Sequence, residues 1–164
     1  MPMPIHMTIE GANQGAIDGP SQMTGREGSF LIQALDHQVR MPRSTQTGLS
    51  TGKRIHEPLR VTKFLDVATP KLYLALTTGE HMTVTLKWYR PHPMGGAAEE
   101  HYFTTVIEEA MLVSIQDGIP NVLDDRNTNF EHMETLAFSY RRITWTYEPD
   151  GVENSDDWHA PVEA

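Results

Sequence analysis

The eight histidines of this sequence are its main potential for metal chemistry. They are scattered along the chain, and none lies in the H-E-x-x-H spacing that sets two ligands on one helix face. In FEHME, His132 and Glu134 share one face of a predicted strand, so they would bind a metal only with a third, distant ligand. A metal hydrolase built on this pair is one alternative. Surface or interface histidines are the ordinary interpretation, and we predict no metal site.

Nucleophilic catalysis and phosphate binding have no complete signature in this sequence. The chain has no cysteine, and the G-x-S-x-G and S-x-x-K patterns contained in GLSTGK, residues 48–53, lie in a polar segment followed by strand sequence, without the helix that should follow such a nucleophile. The adjacent Glu108 and Glu109 would point to opposite sides of a strand, so they would not act as a pair. GLSTGK has the glycines and the lysine of a phosphate-binding loop, but the spacing is wrong and strand sequence follows. We therefore predict no catalytic residues, no cofactor and no enzymatic activity.

The charge balance and hydropathy exclude two classes of partner. The chain has 22 acidic residues against 13 Lys and Arg, a net charge of −9 that repels nucleic-acid phosphates. It has no apolar run of the length that spans a bilayer, so we expect no membrane insertion. The start, MPMPIHMTIEG, lacks a basic and an apolar region, so we also expect no cleaved signal peptide.

Alternating apolar residues predict six to eight strands and one helix. MTVTLKWYR is the clearest strand, with its apolar side chains at every second position. The helix is predicted over residues 69–78, with Thr69 as N-cap, Pro70 in the first turn and Gly79 at the end. This pattern indicates one mainly β domain over residues 1–164: a small two-sheet β-barrel with a short flanking helix and a polar C-terminal segment, residues 149–164.

A long polar segment, residues 42–58, separates two of the predicted strands. Its sequence, PRSTQTGLSTGKRIHEP, has almost no apolar residues and contains two glycines. Structureless loops of this length are uncommon inside compact domains and usually carry a function. We therefore predict a protruding loop.

The stretch AFSYRRITWTY changes its apolar parity in the middle. Phe138 and Tyr140 alternate on one parity, and the apolar residues from Ile143 onward alternate on the other. A β-bulge at Arg141 and Arg142 would re-aim the side chains in this way. Either the strand turns a corner between two sheets, or one half serves the core and the other a neighbouring subunit. The half from Ile143 onward is then the one we assign to the core.

Five motifs occur in order along nearly the whole chain and resemble one known family. They are KRIHEPLRVTKFLDVATPKLYLALTTGE, VTLKWYR, HYFTTVIEEAMLVSI, FSYRRITWTYE and SDDWHAP. Each is weak alone, and together they resemble the haemolysin-coregulated protein family (Hcp), the tube protein of bacterial type VI secretion.

The resemblance implies a homohexamer whose rings stack into a hollow tube, similar to a phage tail tube. The tube would lie inside a sheath, carry a spike at its tip and hold effector proteins in its lumen. It would wait in the bacterial cytoplasm and be expelled by the apparatus to the extracellular space or a target cell. A monomeric β-barrel that binds a small ligand is the alternative.

The resemblance also implies where subunits meet. By position, residues 42–58 match the family's extended loop, which reaches toward the next ring or subunit, and DDW matches a C-terminal pattern of the family. His159 stands where a basic residue commonly follows that tryptophan, which weakens any ion pair there at neutral pH. Together with the parity break, these matches give the predicted ring and stack interface: Arg43, Thr47, Thr51, Lys53, Arg54, His56, Arg141, Arg142 and Trp158.

Overall fold

Antiparallel strands around one apolar core make up about half of the protein in a computed structural model, which describes residues 3–160. Ten strands form a sheet of order β2-β1-β8-β9-β10-β7-β4, with β3, β11 and β12 paired off this path, and β5 and β6 form a separate pair. The strands are β1 Ile5–Gly11, β2 Gly15–Ile17, β3 Phe30–Ile32, β4 Ala34–Asp36, β5 Val39–Arg40, β6 Ile55–His56, β7 Leu59–Phe64, β8 Met82–Pro91, β9 Glu99–Gly118, β10 Met133–Ser139, β11 Arg142–Tyr147 and β12 Val152–Asp157. The predicted mainly β fold with two sheets is confirmed, although the strands of residues 3–160 do not close into a complete barrel.

The 20-residue strand β9 joins two layers of the large sheet. Its first part pairs with β8 and β11, and its last part pairs with β10. Glu109 lies between the two parts and has a φ of 50°, which is unusual for a residue with a side chain. This local change of backbone direction carries one continuous strand from the first layer into the second. The stretch VIEEAML, whose residues also suit a helix, lies within this strand.

The parity change of AFSYRRITWTY comes from a crossing between the layers. β10 pairs with β7 and β9 in one layer, and β11 pairs with β9 and β12 in the other. Phe138 and Ile143 are both fully buried in the same core, so both halves of the stretch serve it. The predicted bulge at Arg141 and Arg142 is wrong, because the strand ends at Ser139 and restarts at Arg142.

The helix α1 spans Thr69–Thr78 as predicted and packs against β9. Its N-cap is Ala68 rather than Thr69, whose hydroxyl instead donates to Oε1 of Glu134 over 2.9 Å. Gly79 ends the helix with a φ of 65°, a left-handed conformation that glycine adopts without strain. Within residues 3–160, no helix has the length and apolar character to cross a bilayer.

A buried ion pair joins the second layer to the start of the helix. Lys63 on β7 lies directly opposite Glu134 on β10, both are 1% exposed, and their charged groups are in contact. The Lys63 ammonium also lies 3.0 Å from the Asp66 carboxylate. Because Glu134 is held by Lys63 while His132 lies on the surface, the metal-hydrolase alternative loses its carboxylate. Residues 3–160 contain no group of three metal-binding side chains in reach of one ion.

The space between the layers is filled by side chains. The largest fully buried side chains of this core come from both layers and include Met7, Phe30, Leu86, Ile107 and Leu136. A ligand-binding barrel needs free volume in its interior, so this packing does not favour the ligand-barrel alternative.

Replacing Lys63 with methionine should leave the buried carboxylate of Glu134 without its ion-pair partner. We expect Lys63→Met to lower the free energy of unfolding by about 3–5 kcal/mol, because Glu134 stays buried without its partner. Adding Glu134→Leu should recover more than half of that loss, since both charges are then gone. Urea unfolding of the three proteins measures this, and a double variant no more stable than Lys63→Met would contradict it.

Candidate assembly site at the base of the arm

Residues 41–54 form an arm that leaves the body of the protein between β5 and β6. These two strands pair at its base, and a bridge between Arg43 and Ser50 continues the hairpin outward. Gly48 lies in its turn with a φ of 72°, which suits glycine. Residues 45–53 are all exposed. The arm is therefore a hydrogen-bonded hairpin, where the sequence alone predicted only a protruding loop.

Tyr140 is the buried polar group that holds the base of the arm. It lies in the connection between β10 and β11 and is 4% exposed. Its hydroxyl oxygen lies 2.7 Å from Nε2 of His37 and 2.8 Å from Nδ1 of His56. His37 precedes β5 and His56 lies in β6, so one core side chain fixes both strands of the base. A buried hydroxyl is unfavourable without hydrogen bonds, and these two contacts satisfy it.

Asp156 on β12 completes the attachment. It accepts two hydrogen bonds from the Arg54 guanidinium, one of them 2.7 Å from Nη2 to Oδ1. Nε2 of His56 lies 2.7 Å from Oδ2 of the same carboxylate. Such two-pronged contacts between a guanidinium and a carboxylate are strong and directional. We call the five residues of this network the anchor: His37, Arg54, His56, Tyr140 and Asp156.

Trp158 covers the anchor from the C-terminal side. Its indole N–H donates to the backbone carbonyl of Tyr140, and its ring centroid lies 5.8 Å from that of His56. The neighbouring His159 donates its backbone N–H to Oδ1 of Asp157 over 3.1 Å. The predicted C-terminal segment thus reaches the body through Trp158, and its residues 161–164 lie outside the described residues.

The electrostatics of the anchor set its protonation. The hydrogen bond from Arg54 is the main reason that the pKa of Asp156 is lowered, and partial burial opposes it less strongly. Burial, with a smaller contribution from Asp156, raises the pKa of Tyr140 far above neutral. Burial, followed by the proximity of His56, lowers the pKa of His37. At neutral pH the network therefore contains an ionised Asp156, a protonated Tyr140 hydroxyl and a neutral His37.

The ionised Asp156 sets the direction of the hydrogen bonds. A carboxylate only accepts, so His56 donates its Nε2–H to Asp156. When the His56 ring carries its single proton on Nε2, its Nδ1 is an acceptor and receives the Tyr140 hydroxyl proton. The Tyr140 oxygen in turn accepts from Nε2–H of His37. In this arrangement each group facing Tyr140 is paired as a donor or an acceptor.

A family model described as "Type VI secretion system effector, Hcp" matches residues 6–147, a range that includes the arm and four of the five anchor residues. The chain belongs to the Hcp family. The resemblance predicted from the five sequence motifs is confirmed.

Similar proteins extend the likeness over the whole Hcp chain. The "Major exported protein" of Pseudomonas aeruginosa strain PAO1 is 42% identical over 172 residues, covering 99% of both chains. A crystal structure of an Hcp protein is 32% identical, with a TM-score of 0.87 and coverage of 98% of this chain and 100% of that one. The secreted protein Hcp3 from Pseudomonas aeruginosa is 36% identical, with a TM-score of 0.77 and coverage of 97% and 100%.

Four residues of the predicted interface are exposed along the arm of this Hcp chain. They are Arg43, Thr47, Thr51 and Lys53. Neither Arg43 nor Lys53 makes an ion pair within residues 3–160. Their role in contacts between subunits stays a prediction, and their exposure leaves them accessible for it.

The other five predicted residues hold segments of their own chain together: Arg54, His56, Arg141, Arg142 and Trp158. Arg141 lies 3.1 Å from Asp157 on β12, and Arg142 lies 3.5 Å from Glu108 on β9. Within one chain, therefore, these residues hold the arm and β12 in position.

The sequence pattern does not indicate that His37, Tyr140 or Asp156 belong to the site. The alternation of residues 138–140 makes Tyr140 a source of apolar area, although a buried tyrosine usually finds a partner for its hydroxyl. That rule, applied at the parity break, would have indicated a polar contact. It would not have named the partner, because His56 lies 84 residues away along the chain.

Asp156→Asn should loosen the base of the arm. The amide has no charge and one acceptor oxygen, so it would not accept all three hydrogen bonds that the two carboxylate oxygens now accept from Arg54 and His56. We expect trypsin to cleave after Lys53 and Arg54 about three to ten times faster, as local opening becomes easier. Asp150→Asn, at an exposed turn, is the matched control. Equal cleavage rates in the two variants would contradict the role of Asp156.

Proposed function

We propose that this chain is the tube subunit of a type VI secretion apparatus. Six copies form a ring, rings stack into a hollow tube, and the expelled tube carries effector proteins in its lumen. Its partners are further copies of itself, the sheath around the tube, the spike at its tip and the effectors. The protein waits in the bacterial cytoplasm and leaves through the apparatus. Membership of the Hcp family and the likeness to Hcp structures support this role.

The observation that carries the proposal is the anchored arm. A hairpin with about six residues in each leg reaches roughly 20 Å from its base. Its base is fixed by buried contacts to Tyr140, while residues 45–53 are exposed. A contact element that is already ordered loses little conformational entropy on binding, so it suits repeated docking onto identical neighbours.

Exposed apolar side chains give a second reason to expect self-association. Val67, just before the helix, and Val122 and Leu123, in the loop that follows β9, are 74%, 74% and 88% exposed. Leu65 and Ile119, which line one apolar depression, are also exposed. Contiguous exposed apolar surface such as this depression marks interaction sites, and ring formation would bury it.

The sheet also ends in a strand that can accept a partner. Within residues 3–160, β12 pairs only with β11 and leaves its other edge unpaired. Open edges are positions at which a second chain can extend a sheet.

The proposed role of tube subunit needs no catalysis and no cofactor. A tube subunit is a structural protein, and its chemistry is that of its contacts.

The oligomeric state of the purified full chain tests the proposal. We expect native mass spectrometry to show an assembly of six chains, and negative-stain images to show rings with a central hole. The arm and the exposed apolar side chains then have neighbours to contact. A protein that stays monomeric at tens of micromolar would overturn the proposal.

Reversing one charge on the arm should weaken assembly without affecting the fold. We expect Lys53→Glu to reduce the ring or stack population about tenfold, with a dependence on salt, because the exposed polar contacts of the arm are electrostatic. Lys71→Glu makes the same charge change at an exposed helix position and is the control. Sedimentation velocity measures the populations, and circular dichroism checks the fold. If both variants assembled equally, the arm would not be part of the interface between subunits.

A further inference from the structure

Two imidazole rings share one hydroxyl group in the anchor. Nε2 of His37 and Nδ1 of His56 contact the same oxygen of Tyr140, at 2.7 and 2.8 Å. A hydroxyl has a single proton to donate, so it donates to one ring and accepts from the other. The arrangement is satisfied only while at least one of the two nitrogens that face it is an acceptor.

A first added proton leaves this network intact. If His56 gains a proton on Nδ1, it becomes a donor to the Tyr140 oxygen, and the hydroxyl turns toward His37. His37 then carries its own proton on Nδ1 and accepts at Nε2. Each of the two short contacts survives with its direction reversed, and the carboxylate of Asp156 balances the new charge.

A second proton cannot be accommodated in the same way. With both rings protonated, both nitrogens donate to the Tyr140 oxygen, and its own proton has no acceptor between them. Two cationic rings then lie on either side of one buried oxygen, beside the Arg54 guanidinium, with Asp156 as the shared counter-ion. Of the charged groups in residues 3–160, Asp36 acts on His37, and Asp156, paired with Arg54, contacts His56. The pairs Arg40–Glu57 and Arg141–Asp157 lie next to the anchor along the chain.

We propose that His37, Tyr140 and His56 form an acid-sensitive latch, which holds the base of the arm at neutral pH and releases it when both histidines are protonated. The device goes beyond the proposed tube function and acts within a single chain, so it does not depend on ring formation. Its consequence is that acid frees the exposed arm while the core keeps its packing.

The direction of the pH effect follows from His37. Its pKa is lowered in the folded protein by burial and by His56. Folding therefore favours the neutral ring, and the stability from this group is fully present above the unfolded value of about 6.5. That contribution is lost as the pH falls from there through the folded pKa. Acid, and not alkali, loosens the latch.

A spin label on the arm tests the latch directly. The chain has no cysteine, so Gln46→Cys at the exposed turn of the arm accepts a single nitroxide. Between pH 7.5 and pH 5.0 we expect the mobile spectral component to rise reversibly, by about threefold or more, with an unchanged circular dichroism spectrum. Mobility that stays constant over this range would overturn the proposal.

Three variants of the labelled protein identify the groups responsible. His37→Gln offers an amide N–H to Tyr140 but does not titrate, so its mobility should respond far less to pH. Tyr140→Phe keeps the ring in the core and removes the shared hydroxyl, so its arm should already be mobile at pH 7.5. His132→Gln removes an exposed histidine outside the anchor and should behave as the parent. A His37→Gln response equal to that of the parent would overturn the latch even if acid mobilises the arm.

Discussion

The need to satisfy one buried hydroxyl group organises the end of this protein that carries the arm. Tyr140 has its ring in the core and its hydroxyl at the edge of it, where it meets His37 and His56. A tyrosine in this position either finds partners or destabilises the fold. The partners come from both sides of the base of the arm, His37 just before β5 and His56 in β6. The hydrogen bonds that this core side chain requires therefore also fix the position of the arm on the surface.

The position of Tyr140 follows in turn from the way the chain divides its strands between two layers. β9 passes from one layer to the other without a break, with its change of direction at Glu109, whereas the stretch from Met133 to Tyr147 needs an interruption. Tyr140 lies in that interruption, beyond the ladder of strand hydrogen bonds. The ion pairs of Arg141 and Arg142 with β12 and β9 hold the interruption at the surface.

Local patterns in the sequence predicted most of the fold, because the alternation of strands and the end signals of helices are visible in residues that are neighbours along the chain. Residues 69–78 were identified as a helix from Pro70, Gly79 and the apolar stripe, and only the N-cap was misplaced, since Thr69 bonds to Glu134 instead. The parity break was visible, but a bulge and a crossing between layers leave the same alternation in the sequence. The arm was found by its polarity. The anchor was not, because its contacts join residues 84 to 103 positions apart, and nothing in a single sequence reports such pairs.

Asp156 lies on the last strand of the described chain, 100 residues after the His56 that it contacts. During synthesis the arm emerges early, but the carboxylate that orients Arg54 and His56 arrives only when nearly the whole chain has been made. Contacts between such distant residues form late in folding, after the loops between them have closed. A growing chain thus displays a loosely held arm, and a completed one displays a fixed arm. The order of the sequence itself thus delays the fixing of the arm until β12 has been made.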